Sequence, residues 1–411
     1  MTMDTISARN EWRAYWPLTL AAMVGYSTIG LQSYALGPFV THLEIEFGWT
    51  RAEVMTGLSV SSLAGVFLNI ASGMIADRIG PRPVGLTGIA IKTGAFALLA
   101  TATGSILNWS LLWFAIALGV VMLQASIWTS AVAARFDKSR GLAMAAALTG
   151  APLAATVLPL LATVLINSFG WRAGFVGVGA CWFLITFPVV FLLFKDGRKA
   201  RKGGRIPASQ KVEVGGVTFT QGVRSRAFWC LLISFGAFSF YAMTISANLV
   251  PLLTDKGVTA IEAAAIASLM GIAGIVGRLS VGALLDRLSG PAIGAVTQLL
   301  PVGGCALLLL DQPGIGSLAL ASTAFGIATG AEVDVSLYLA SRHFGLRSFA
   351  SLFGAIITFG AMGGTVGPYL GGWFHDKWGN YDGVLIVIMV TMTLGSIAIA
   401  SIGHPKPHAD Q

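Results

Sequence analysis

Gly73-Met-Ile-Ala-Asp77-Arg78-Ile-Gly80-Pro-Arg82 decides the reading of this 411-residue chain, because much of it returns as Gly282-Ala-Leu-Leu-Asp286-Arg287-Leu-Ser-Gly290. Each copy closes an apolar run with a carboxylate, an arginine and a glycine suited to a tight turn. The two Asp-Arg pairs lie 209 residues apart, and Arg135, Arg140 and Trp171 recur 207 residues later as Arg342, Arg347 and Trp378. A nearly constant offset at so many positions marks an internal duplication. The second copy lacks the final arginine.

Outward from these copies, apolar runs fall at about 14–39, 53–76, 84–103, 110–133, 141–166, 173–194, 227–253, 262–285, 291–310, 316–341, 348–374 and 383–403. A helix of about 20 apolar residues crosses the ~30 Å hydrocarbon of a bilayer. The chain is 55% hydrophobic and only 11% charged, with a mean hydropathy of +0.77. That composition excludes an ordinary soluble enzyme. The expected fold is an all-α membrane protein of twelve transmembrane helices in two pseudo-symmetric six-helix bundles. The expected bundles are 1–194 and 227–411, joined by a basic cytoplasmic linker over 195–226 that holds nine Lys/Arg against Asp196 and Glu213. Met1 to Arg13 is polar and leads into an apolar run without a small-residue cleavage pattern, so a retained anchor is expected.

Net charge is +8, from 26 Lys/Arg against 18 Asp/Glu, a balance that in a soluble chain would suggest nucleic acid. Here the cations segregate: 20 fall in alternate loops and the termini, while the opposite loops hold only Arg51, Arg172, Lys256 and Lys377. Positive charge favours the cytoplasmic side, so both termini are expected there and no nucleic-acid role follows. Cys181, Cys230 and Cys305 sit in apolar runs without CxxC spacing, and the five histidines lie at helix edges or in the tail. No metal or other cofactor is expected. The absence of G-x-x-x-x-G-K-[ST], H-E-x-x-H and G-x-S-x-G argues against direct ATP use and against a membrane enzyme.

Two cations remain inside apolar runs, Lys92 and Arg278. Arg278 lies eight positions before Asp286, about 12 Å from its helix end and too deep to reach water cheaply. Its flat guanidinium suits a carboxylate. Glu332 and Asp334 lie ten and eight positions before Arg342, at about 15 and 12 Å. Two residues apart, they point about 200° from one another, so one is expected to face a cavity and the other to pack. Either could carry a proton, and a static ion pair is the alternative. The repeat aligns Arg278 with Asn69, Glu332 with Ala125 and Asp334 with Ile127, so these three charges break the symmetry that the edge charges obey. Candidate substrate contacts around Arg278 are Gln32, Tyr34, Gln124, Trp128, Tyr241, Asn248 and Tyr338, with Ser130 and Phe238 beside them. Lys92 is expected to snorkel or to bond to a neighbouring helix.

The opening stretch fits G-x-x-x-D-R-x-G-x-R, the loop signature of the major facilitator superfamily. Within it the chain resembles the monocarboxylate transporter and oxalate/formate antiporter branch, especially its bacterial members. The resemblance rests on Phe47-Gly-Trp-Thr-Arg51, Leu249-Val-Pro-Leu-Leu-Thr-Asp-Lys-Gly257, Gly277-Arg278-Leu-Ser-Val-Gly282, Gly330-Ala-Glu332-Val-Asp334 and Ser341-Arg-His-Phe-Gly345. It implies that Arg278 holds a substrate carboxylate. It also implies that Asp77, Arg78, Arg82, Asp286, Arg287, Arg135 and Arg342 are gating or structural positions at the cytoplasmic edge. The branch often has histidine where Asn248 stands, and its oxalate-handling members have a helix-eleven lysine where Gly360 stands. Gly363-Gly-Thr-Val-Gly367-Pro368-Tyr-Leu-Gly371-Gly372 is similar to an antiporter pattern but lies in the other half, and reads as close packing.

The expected function is secondary transport of a small organic monocarboxylate, aliphatic or aromatic, by alternating access with proton symport. Glu332 or Asp334 would couple the proton. The expected setting is a bacterial inner membrane, with the protein acting as a monomer whose partners are the lipid bilayer, the carboxylate and protons. Anion exchange, and a non-transporting receptor for an organic anion, are the alternatives.

Overall fold

Proline, glycine and clustered polar residues interrupt the first apolar run. In the computed structural model, which describes residues 8–136, 138–194, 216–285, 287–345 and 348–403, that run is three helices. They are α1 (Ala8–Ser27), α2 (Leu31–Ala35) and α3 (Val40–Phe47), separated by 3-10 turns at Thr28–Gly30 and Gly37–Phe39. Next come α4 (Arg51–Ile79), α5 (Pro81–Leu98), α6 (Ile106–Val121), α7 (Ala125–Ala133), α8 (Arg140–Leu148) and α9 (Gly150–Leu193). Gln124 parts α6 from α7 with an extended backbone. Gly170, at φ 80° and ψ 167°, parts two of the expected runs inside α9.

The rest of the chain forms α10 (Phe219–Arg224), α11 (Arg226–Asp255), α12 (Ala260–Leu285), α13 (Gly290–Leu308), α14 (Ile315–Phe344), α15 (Phe349–Trp378) and α16 (Asp382–Ala400). Among the described residues nine helical spans are long and apolar enough to cross a membrane, and Arg140–Leu193 is one of them. The fold is all-α. Asp286 and most of the 195–226 linker lie outside the described residues, as does the side chain of Asp77.

The chain divides into two compact units, Met1–Ala35 with Ala64–Ile206, and Leu36–Leu63 with Pro207–Gln411. This departs from a division at the central loop, because α3 and the start of α4 pack with second-half helices. In unit one the Trp128 ring fills the space over Gly25 and Gly85 and meets Phe194 edge-on at 5.1 Å. Around it gather Leu18, Ala22, Ile89, Val132 and Phe136. Inside a bilayer such a cluster is held by close van der Waals packing, since the alternative to burial is contact with lipid.

In unit two a seam of glycines brings α12 against α14. A Cβ on Gly277 would lie 2.6 Å from the Ile327 carbonyl oxygen, and one on Gly330 would run into the Gly274 carbonyl. Small residues let membrane helices approach this closely, where packing and interhelical polar contacts must replace a hydrophobic drive. The seam sets Arg278, next to Gly277, across from Asp334, four residues after Gly330. Gly282 on the same helix has no atom within 4 Å of an added Cβ. Gly277→Ala should therefore destabilise detergent-solubilised protein by about 1–3 kcal/mol, whereas Gly282→Ala should be neutral or stabilising. Thermal unfolding of the two variants side by side checks this, and equal midpoints would refute the seam.

Candidate functional site

Arg278 lies mid-helix in unit two, 7% exposed, with its Nε 3.0 Å from Oδ2 of Asp334. The approach is side-on: Nε is enclosed, yet its N–H does not point along a hydrogen bond. Among the described residues the terminal nitrogens of Arg278 donate to no acceptor. The two parallel donors of the fork, the edge best shaped for a carboxylate, are thus uncommitted. Asp334 remains partly accessible, its side chain 23% exposed. A charge contact of this kind inside a membrane protein offsets the cost of burying two ions only while both are present.

Glu332 occupies the other face of α14. It is 1% exposed and its Oε1 accepts from Gln298 Nε2 at 2.8 Å, Ser234 Oγ at 3.2 Å and Ser336 Oγ at 3.4 Å. Its Oε2 is buried without a partner, and among the described residues no cation pairs with it. The two α14 carboxylates thus point apart, as their spacing requires, one to α12 and the other to α11 and α13.

Other expected contacts are tied into the protein. Tyr241 donates to the Phe325 carbonyl at 2.6 Å, joining α11 to α14. Asn248 donates to the Thr244 carbonyl at 2.9 Å and accepts from the Tyr381 hydroxyl at 3.4 Å. Tyr338 covers Gly290 at the far end of α14, under the Arg342 guanidinium at 5.8 Å. The structure does not bring it to Arg278. Gln32, Tyr34, Gln124 and Trp128 belong to unit one: Trp128 is fully buried with its N–H donated to Leu123 O at 3.2 Å, Gln32 Oε1 is buried without a partner among the described residues, and Gln124 stands at the break before α7 with no side-chain capping bond. Lys92 is also fully buried in unit one and donates to Ile29 O at 2.7 Å, at the 3-10 turn of the first run. It bonds to a neighbouring helix and does not snorkel.

Edge positions behave as surface structure. Arg82 donates to Phe191 O at 2.6 Å and lies 5.5 Å from that ring, Arg135 lies 5.7 Å from the Tyr15 ring, and Arg78 and Arg287 are exposed.

A second polar assembly escaped the sequence reading, which took Arg51 for a loop charge. Arg51 is 5% exposed; its Nε donates to Glu44 at 2.8 Å, and its terminal nitrogens donate to Asp255 Oδ1 at 3.0 Å and to the Tyr381 hydroxyl at 2.9 Å. Asp376 accepts from the backbone N–H of Arg51 and of Ala52, both at 2.9 Å, and so caps the N-terminus of α4 from another helix. Only a glycine fits at position 372, where a Cβ would lie 2.5 Å from the Ala52 nitrogen. Burial disfavours the Arg51 charge, but Asp255, Tyr381 and Glu44 outweigh it and hold its pKa above the ordinary value. Burial pushes the Glu44 carboxyl up, against the lowering effect of Arg51. The clasp fastens α3 and the start of α4 to α11 and α15.

The profile of the Major Facilitator Superfamily matches residues 22–368. The chain belongs to that superfamily. Among relatives, monocarboxylate transporter 13 of Bos taurus is 25% identical over 405 residues, covering 95% of this chain and 89% of its own. The 4-hydroxybenzoate transporter PcaK of Pseudomonas putida is 22% identical over 428 residues, covering 97% and 94%. The fold is also that of a bacterial homologue of the human lysosomal transporter Spinster, solved inward-facing and occupied. Its TM-score is 0.69 at 17% identity, over 96% of each chain. As a facilitator, the protein is a multi-pass integral membrane transporter and not an enzyme.

The clasp gives this facilitator a stability test separate from transport. Arg51→Gln strands two carboxylates and should cost about 3 kcal/mol, the lower end for a broken buried pair because both partners are partly exposed. Asp376→Asn keeps one capping acceptor and should cost about 1 kcal/mol. Thermal unfolding should rank the parent above Asp376→Asn and that above Arg51→Gln; three equal midpoints would contradict the clasp.

Proposed function

We propose that this transporter carries a small organic monocarboxylate, aliphatic or aromatic, together with a proton. The observation that carries the reading is the side-on Arg278–Asp334 contact, which leaves the arginine fork uncommitted in a buried setting. Similarity to a monocarboxylate transporter and to a 4-hydroxybenzoate transporter supports the substrate class.

The cycle begins with Asp334 paired to Arg278. A proton reaches Asp334 and makes it neutral, and the guanidinium then takes the substrate carboxylate bidentately in its place. One cation faces one anion both in the resting pair and in the loaded carrier. Reorientation therefore carries no unpaired ion through low dielectric. Release of the anion on the far side returns the proton and restores the resting pair. The proposed site works in a single chain with both termini cytoplasmic, which puts the Arg51 clasp at the outer face.

One cavity cation also fixes the valence of the cargo. No Lys or Arg occurs between Ser348 and Phe374, in α15, where a partner for a second carboxylate would stand. A dianion would bring an unpaired charge at a cost of several kcal/mol, on the order of a thousandfold in affinity.

In proteoliposomes Arg278→Gln should abolish saturable benzoate or lactate uptake, and Arg278→Lys should recover little of it because an ammonium cannot reproduce the fork. Oxalate and succinate should compete far more weakly than benzoate or lactate. Unchanged affinity in Arg278→Gln, or equal potency of mono- and dianions, would overturn the reading.

A further inference from the structure

Glu332 and Asp334 lie two residues apart on one helix, but their surroundings differ in kind. Asp334 has a cation 3.0 Å away and an accessible flank. Glu332 has hydroxyls and an amide, all gathered on one oxygen, and 1% exposure. A carboxylate has two equivalent acceptor oxygens and wants donors on both. A carboxylic acid has one accepting carbonyl oxygen and one hydroxyl oxygen. Three donors on Oε1 and none on the buried Oε2 is the pattern of the acid.

The charges that could stabilise an ionised Glu332 are engaged elsewhere. On α12, Arg278 faces Asp334. On α11, Tyr241 gives its hydroxyl to Phe325 O, and Arg226 and Asp255 are the helix ends. On α13, Cys305 stands seven residues from Gln298, and α16 carries only Asp382, at its first residue. Tyr338 and Arg342 lie further along α14. An unmade hydroxyl donor is far less costly than a buried ion without a counter-charge.

We infer that Glu332 keeps a proton throughout the cycle and is a positioning residue, while Asp334 alone exchanges one. Held by Gln298 and Ser234, the neutral carboxyl fixes the rotation of α14 about its axis, and a rotation set two residues before Asp334 aims that side chain at Arg278. The inference rests on the proposed role of the Arg278–Asp334 pair, and the experiment separates the two.

Infrared spectroscopy of parent protein labelled with 13C-glutamate, at about pH 8 where ordinary glutamates are ionised, should show a carboxylic-acid carbonyl band shifted by the label. Glu332→Gln should remove it. In proteoliposomes Glu332→Gln, which mimics the protonated acid, should transport within about threefold of the parent with the same pH midpoint. Glu332→Ala, which strands Gln298 and Ser234, should lose on the order of tenfold with the midpoint unmoved. Absence of the band in the parent, or a Glu332→Gln variant whose uptake no longer responds to pH, overturns the inference. Asp334→Asn should lose pH-driven accumulation; if it does not, the proposed exchange at Arg278 fails, whatever the infrared band shows.

Discussion

An arginine about 12 Å inside a membrane helix cannot stand without an anion, and the construction of unit two follows from that demand. The α12/α14 seam needs glycine at 277 and 330 because only bare backbone lets the helices approach closely enough for a short aspartate to reach Arg278. A bulkier seam would leave a cation facing lipid or an empty gap. The pair also has the weakness a carrier requires. Its single oblique contact is strong enough to offset burial and open enough to be exchanged for another carboxylate.

Unit two uses carboxylates in three settings. At Arg51, several acceptors and a helix N-terminus converge at the ends of helices, and the result is a fastening. At Arg278 one acceptor meets one donor group, and the result is replaceable. At Glu332 no cation is present among the described residues, and the group acts through hydrogen bonds. The difference lies in the partners each side chain meets, since all three are carboxylate chemistry.

Much of this was legible in the sequence, for physical reasons. Charged residues are so costly in hydrocarbon that Arg278, Glu332 and Asp334 stand out in any apolar run, and helical geometry alone predicts that the last two diverge. Loop signatures and periodic apolar runs carried the fold. The breaks did not show: residues 28–30 and Gln124 interrupt helices that hydrophobicity reads as continuous. Nor did the partners of Glu332, since an isolated Ser234 or Gln298 in an apolar helix looks like packing. Arg51 was hidden because its acceptors Asp255 and Asp376 lie some two hundred residues or more away, and each alone reads as a loop charge. Trp128 and Tyr241 were legible as large amphipathic side chains, but only coordinates reveal that their polar atoms are bonded to backbone carbonyls.

The account stands or falls on whether a substrate carboxylate replaces Asp334 at Arg278 as that aspartate takes a proton. Titration calorimetry of benzoate binding to purified protein, repeated in buffers of different ionisation enthalpy, counts protons directly. The account predicts uptake of about one proton per anion bound at neutral pH, the number expected when a single carboxylate is neutralised as another takes its cation. Saturable binding of the monoanion with no proton uptake would contradict it.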